Sequence, residues 1–204
     1  MKKENEYIKF KYEWDNEGFF FPQKYFDTIN YWRDKLYEKD LIGAIDCYIG
    51  FGNISLRIEN TNQFIISGSA TGLHKNLNKL SYAKVTDFDI ENNFVRCVGG
   101  TKASSESLSH ASIYANNSSV RGIVHTHHKK LWEALLHKKS TTSERAMFGT
   151  AELAREIEKL VKNPVTIEEK IIVLGGHEDG LLTFGTTLEE AVNILFFELD
   201  QLEK

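Results

Sequence analysis

The chain has 204 residues, of which 41% are hydrophobic and 26% charged, and its 25 Lys and Arg against 29 Asp and Glu give a net charge of -4. A chain of this length can bury roughly 70% of its unfolded surface around one core, so one domain over residues 1–204 is expected. These proportions are those of a soluble globular protein; no run approaches the ~18 to 20 apolar residues of a membrane helix, and the slight acidity provides no basic stripe for nucleic acid.

In chain order, the opening MKKENEYIKFKYEW mixes charge with aromatics and has neither the apolar run nor the cleavage site of a signal peptide, so a cytoplasmic protein is expected. Ile8, Phe10, Tyr12 and Trp14 alternate with charged residues and predict a half-buried strand before a turn at Gly18 to Pro22. Tyr25 to Lys39 is read as a helix whose stripe of Phe26, Ile29, Trp32 and Leu36 packs on a sheet. Short strands follow at Cys47 to Ile49, Ile54 to Arg57, Phe64 to Ser67, Ala83 to Asp87 and Phe94 to Val98, a mainly antiparallel meander. Helices are predicted over Ser104 to Asn116, Thr150 to Lys162 and Thr187 to Leu202, with strands at Val120 to His127, Ile171 to Leu174 and Leu181 to Phe184. Thr187 and Glu190 have the spacing of a capping box, and Pro164 stops the helix before it. Strands bracketed by helices indicate a layered α/β domain. Cys47 and Cys97 are too few and too far apart for a disulfide framework or a thiolate metal site and are read as small buried hydrophobes.

Three segments carry candidate chemistry. His125 and His127 are two apart on a strand and therefore share a face, as two ligands of one metal or as ordinary hydrogen-bonded histidines, while His128 points away. Gly175-Gly176-His177-Glu178-Asp179-Gly180 offers a third donor on a glycine-rich loop, His177 or, as a fallback, Asp179. Ser104-Ser105-Glu106 opens a helix, where its hydroxyls and amides can cradle an anion and Glu106 can act as a base or simply favour the helix dipole. His110 is read as a structural partner and Lys102 as a solvent-exposed lysine. Gly52-Asn53-Ile54-Ser55 and Ser69-Ala70-Thr71-Gly72 add amide- and hydroxyl-rich turns suited to an anion.

Taken in order, Gly52-Asn53-Ile54-Ser55, Thr71-Gly72, Ser104-Ser105-Glu106, His125-Thr126-His127 and the later Gly-His resemble the class II aldolase/adducin family, as in zinc enzymes of the L-fuculose-phosphate aldolase type, over about residues 40 to 200. The resemblance implies a three-layer αβα sandwich around a largely antiparallel sheet, assembled as a homotetramer, with residues 1–24 as an added N-terminal strand and turn. It implies Zn2+ or another divalent transition metal on His125, His127 and His177, Glu106 as acid/base, and Gly52, Asn53, Thr71, Gly72, Ser104 and Ser105 as the loops for a substrate phosphate. The implied reaction is retro-aldol cleavage of a small ketose phosphate through a zinc-stabilised enediolate, with dehydration or epimerisation on the same site, or a non-catalytic adducin-like assembly module, as alternatives. A nucleic-acid or membrane partner is not implied.

The chain departs from the family's pattern twice. The family's usual His-Gly is here His177-Glu178-Asp179-Gly180, and the tyrosine its aldolases carry after the His-x-His strand has no counterpart between His137 and Thr150 or beyond Phe197. A cupin is the other fold with a His-x-His, but the predicted helices and the distance to Glu133 argue against it.

Overall fold

The computed structural model describes residues 9–16, 21–45 and 49–202. Cys47 and the ends of two predicted elements, Ile8 and Gly18, lie outside them.

Eight strands form one sheet in the order β1-β7-β6-β5-β4-β8-β10-β9. These are β1 (Lys11–Asp15), β4 (Asn53–Arg57), β5 (Phe64–Ser67), β6 (Tyr82–Asp89), β7 (Phe94–Gly99), β8 (Gly122–His127), β9 (Ile171–Val173) and β10 (Gly180–Gly185), while β2 (Gly43–Ile45) and β3 (Ile49–Phe51) form a separate hairpin. All neighbours in the large sheet run antiparallel except β1, which pairs parallel to β7. Among the described residues six α-helices flank the sheet: α1 (Gln23–Glu38), α2 (Ser107–Asn116), α3 (Lys129–Leu135), α4 (Ala151–Leu160), α5 (Pro164–Glu169) and α6 (Leu188–Leu202).

The period of two divides the buried residues between two cores. Phe64 and Ile66 of β5 and Ile123 of β8 pack with Leu108, Ala111, Leu153 and Ile157 of α2 and α4. Ile65, Val124 and Ile54 face the other way, onto Ile29 and Leu36 of α1, Leu131 of α3 and Leu195 of α6. Each such side chain contributes about 1.5–3 kcal/mol by leaving water, so both layers are held mainly by apolar burial. The result is the expected three-layer αβα sandwich. No helix among the described residues is long and apolar enough to cross a membrane.

Of four local expectations, two need correction, β1 and the capping box at α6, and two are extended. β1 is an edge strand exposed along its whole length, not half-buried, with no helix layer among the described residues over either of its faces; Phe10, just before it, is the residue that reaches the core. Pro164 both ends one helix and starts another, α5, with the Asn163 side chain accepting from the Val165 amide at 2.9 Å. The capping box at α6 is half made: Thr187 Oγ1 accepts from the Glu190 amide, but the Glu190 carboxylate turns to the amide and hydroxyl of Thr186 and to Lys170. The stripe on α1 includes a fully buried cation, Arg33, whose guanidinium donates to the carbonyls of Thr71, His74 and Lys75. Through Arg33, α1 fixes the 71–75 segment that borders the cavity described next.

Candidate metal centre and substrate cavity

Strand β8 lies mid-sheet between β4 and β10. His125 and His127 project from it to the α2 face, while Thr126 projects to the other and donates to the Leu41 carbonyl. His177 comes from the loop joining β9 to β10, which is closed by bonds from the Leu174 amide to the Gly180 carbonyl and from the Gly180 amide to the His177 carbonyl, each 2.9 Å. Gly180 stands opposite His127 in the sheet. A Cβ there would sit 3.2 Å from Cγ of the His177 ring, so glycine lets that ring fold back toward the strand end.

The three imidazoles converge, with one ring nitrogen from each lying within 4.8 Å of the others. His125 Nδ1 is 3.0 Å from the Leu181 carbonyl, which can only accept; the proton therefore sits on Nδ1 and Nε2 keeps its lone pair, 3.2 Å from His127 Nε2. Burial pushes all three histidines down to about 3, so near neutral pH they are uncharged. Three neutral nitrogens around one point are a donor set of the kind a divalent transition metal takes. Two buried atoms, Nδ1 of His177 in the cluster and Oε1 of Glu106 beside it, have no hydrogen-bond partner and lie 3.7 Å apart. With the histidine neutral this contact is no ion pair, and the site's polar capacity is left over for a bound group. These residues fit a divalent transition metal.

Glu106 is buried at the N-cap of α2. Ser109, three residues on and on the same side of the helix, donates to its Oε2 at 2.7 Å, which fixes the carboxylate and leaves Oε1 free. No side chain caps α2, so its positive end faces the space lined by Ser104, Ser105 and Glu106.

That space is a cavity of about 320 Å³. It collects the three histidines, Glu106, Gly52, Asn53, Gly72, Ser104 and Ser105, all named from sequence. Gly52 has a positive φ of 74°, and a Cβ there would meet Ile42 and the Leu41 carbonyl at 2.9 Å, so the turn before Asn53 requires glycine. Asn53 sits beside His125 in the β4–β8 register, and its Oδ1 is buried and unpartnered. Thr71 does not line the cavity: its hydroxyl donates to the Gly68 carbonyl within its own turn. Asp179 stays out of the histidine cluster, its carbonyl accepting from the His128 amide. His128 does point away, its Nδ1 capping α3 through the Leu131 amide. Lys102 leans over Tyr12 and Trp14 of β1. Cys97 is buried, as expected.

Sequence reading missed the apolar wall of the cavity, which includes Ile45, Ile49, Phe51, Leu73 and Phe148. Phe51 lies 6.0 Å from the His127 ring, and Phe148 stacks on His177 at 4.9 Å. These contacts join segments far apart in the chain and leave no local pattern. Phe148 is also the aromatic that the His137 to Thr150 segment brings to the site, without a hydroxyl; no tyrosine and no Lys or Arg lines the cavity among the described residues.

Several solved structures share this architecture. A sugar-phosphate aldolase from Thermotoga maritima superposes with a TM-score of 0.65 at 16% identity, covering 86% of this chain and 91% of its own. An L-fuculose 1-phosphate aldolase gives 0.64 at 20% identity, covering 86% and 80%. YgbL of Escherichia coli, whose reaction is left open among aldolase, epimerase and decarboxylase, gives 0.62 at 19% identity, covering 89% and 86%. At these identities the likeness is one of fold. No curated protein sequence matches significantly. The sequence profile of the Class II Aldolase and Adducin N-terminal domain does match, over residues 47–200, and the chain belongs to that family.

Proposed function

We propose that this protein is a metal-dependent lyase that cleaves a carbon–carbon bond of a small phosphorylated ketose in a retro-aldol reaction, with Glu106 as acid/base. The observation that carries this reading is the convergence of three neutral imidazoles beside a buried carboxylate with one free oxygen. His125, His127 and His177 would hold Zn2+ or another divalent transition metal. When bound, such an ion supplies Lewis-acid stabilisation of negative charge developing on a substrate oxygen.

The chain's own residues supply the rest. Glu106 Oε1 is the atom placed to take and return a proton, because Oε2 is held by Ser109. Gly52, Asn53, Gly72, Ser104 and Ser105 offer amides and hydroxyls to a phosphate, with the N-terminus of α2 adding its dipole. Phe51, Leu73 and Phe148 keep water from the reacting end, which strengthens every electrostatic contact there. Assembly into a homo-oligomer, a tetramer by family resemblance, completes the reading.

A second reading, dehydration or epimerisation on the same site, is favoured by one observation: Phe148 brings no hydroxyl to the cavity, so Glu106 is its clearest proton carrier. The test is to incubate the zinc-loaded protein with a panel of ketose 1-phosphates and separate aldehyde release from loss of water and from inversion. Aldehyde release that disappears in Glu106→Gln supports the lyase. Dehydration or epimerisation with the same dependence selects the second reading. A protein that takes up no zinc and turns over none of the panel leaves the adducin-like assembly module.

A further inference from the structure

The two outer candidate ligands are held in different ways. His125 is oriented by a hydrogen bond from Nδ1 to a backbone carbonyl. His177 Nδ1 has no hydrogen-bond partner, and its ring is instead covered by Phe148, nearly parallel at 29°. On Phe148 in turn lies Lys9, its Nζ 3.5 Å from the ring centroid. Lys9 is itself tied down: the Asn93 side-chain amide donates to the Lys9 carbonyl at 3.2 Å and to the Gly149 carbonyl at 3.4 Å, and the Lys11 amide donates to the Asn93 carbonyl at 2.8 Å. One asparagine thus clamps the N-terminal segment to the residue after Phe148.

The geometry points to a positioning role for Lys9: anchored through Asn93, it lies on Phe148 and holds that ring against His177, so that the imidazole keeps one orientation for a bound metal. An aromatic face attracts a cation, and an imidazole that lacks an orienting hydrogen bond needs some other contact to fix its ring. Lys9 and Phe148 are positioning residues and touch no reacting atom in this account. Lys9, just ahead of β1, thereby gains a task apart from sheet pairing.

This inference rests on reading the three histidines as a metal site, and the test separates the two. Zinc affinity of the full chain is measured by chelator competition, the visible spectrum is recorded with cobalt in place of zinc, and the melting temperature of the metal-free protein guards against general damage. Phe148→Leu should weaken zinc at least about tenfold and change the cobalt spectrum, the usual scale for removing support behind a ligand. Lys9→Met should weaken it about two- to fivefold, matching an exposed cation over a ring, and Lys9→Arg should restore it. In the Phe148→Leu background, Lys9→Met should have no further effect. Wild-type affinity and spectrum in Phe148→Leu or Lys9→Met, or an undiminished Lys9→Met effect in the leucine background, overturn the inference while leaving the metal site standing. Absence of metal from the wild type overturns both.

Discussion

One strand and one helix, β4 and α2, run side by side away from the cavity, and their two ends differ in how many of their polar groups are paired. At the cavity end, Asn53 Oδ1 and Glu106 Oε1 are buried and unpaired. Two residues along β4, Ser55 Oγ meets both His110 Nδ1 at 2.7 Å and the Tyr114 hydroxyl at 2.8 Å. At the far end, the Arg57 guanidinium places its donors on the carbonyls of Val120, Thr61, Tyr114 and Asn117 and on the Asn62 side chain. Glu106, His110 and Tyr114 are spaced by four along the same side of α2, facing Asn53, Ser55 and Arg57 spaced by two on β4. The Ser55 and Arg57 bonds fix the helix on the sheet, with His110 Nε2 left buried and without a partner between them, and the unpaired Asn53 and Glu106 oxygens at the cavity end are available for a ligand.

This division can be broken end by end. Glu106→Gln should keep metal binding and fold but lower turnover at least about 100-fold, the scale of removing a general acid/base, measured by steady-state kinetics on whichever substrate is found. Unchanged turnover would remove Glu106 from the chemistry. Arg57→Leu should act in the opposite sense, destabilising the fold by about 2 kcal/mol because buried carbonyls lose their donors, with metal stoichiometry intact. Denaturant unfolding reads the first and elemental analysis the second; a lost metal would mean that the two ends are not independent.

Acid should also reach the structural end. Burial holds His110 down to about 3, whereas its ordinary value is 6.5, so between these the unfolded chain binds the extra proton and the folded one does not. The stability this histidine contributes is complete above about 6.5 and is lost as pH falls toward about 3. Subtracting the stability curve of His110→Gln from that of the wild type isolates the effect; curves that fall in parallel over this window would contradict it. The smallest change expected is from Asp179→Asn, which should leave zinc stoichiometry unchanged because Asp179 lies outside the histidine cluster.

The sequence is most legible where a residue's role follows from its strand or helix period. The His125/His127 pair, the alternation that splits the two cores and the place of Glu106 at a helix start are of this kind, and so is Ser109 in retrospect, three residues after Glu106. Helices α3 and α5 were missed because seven and six residues are too few to establish a period. Arg33 escaped because a charge inside an apolar stripe normally marks its solvent edge, and only the folded chain brings three carbonyls to it. β1 read as half-buried because alternation reveals a strand's two faces but not whether anything covers them. The Lys9, Phe148 and His177 stack joins three distant segments and has no sequence signature at all.

The central claim is that His125, His127 and His177 hold a catalytic metal, and the most direct test is elemental analysis of untagged protein beside a His125→Ala, His127→Ala double variant. The account predicts about one divalent transition metal per chain in the wild type and none in the variant. No metal in the wild type even after incubation with zinc, or equal metal in both proteins, would contradict it.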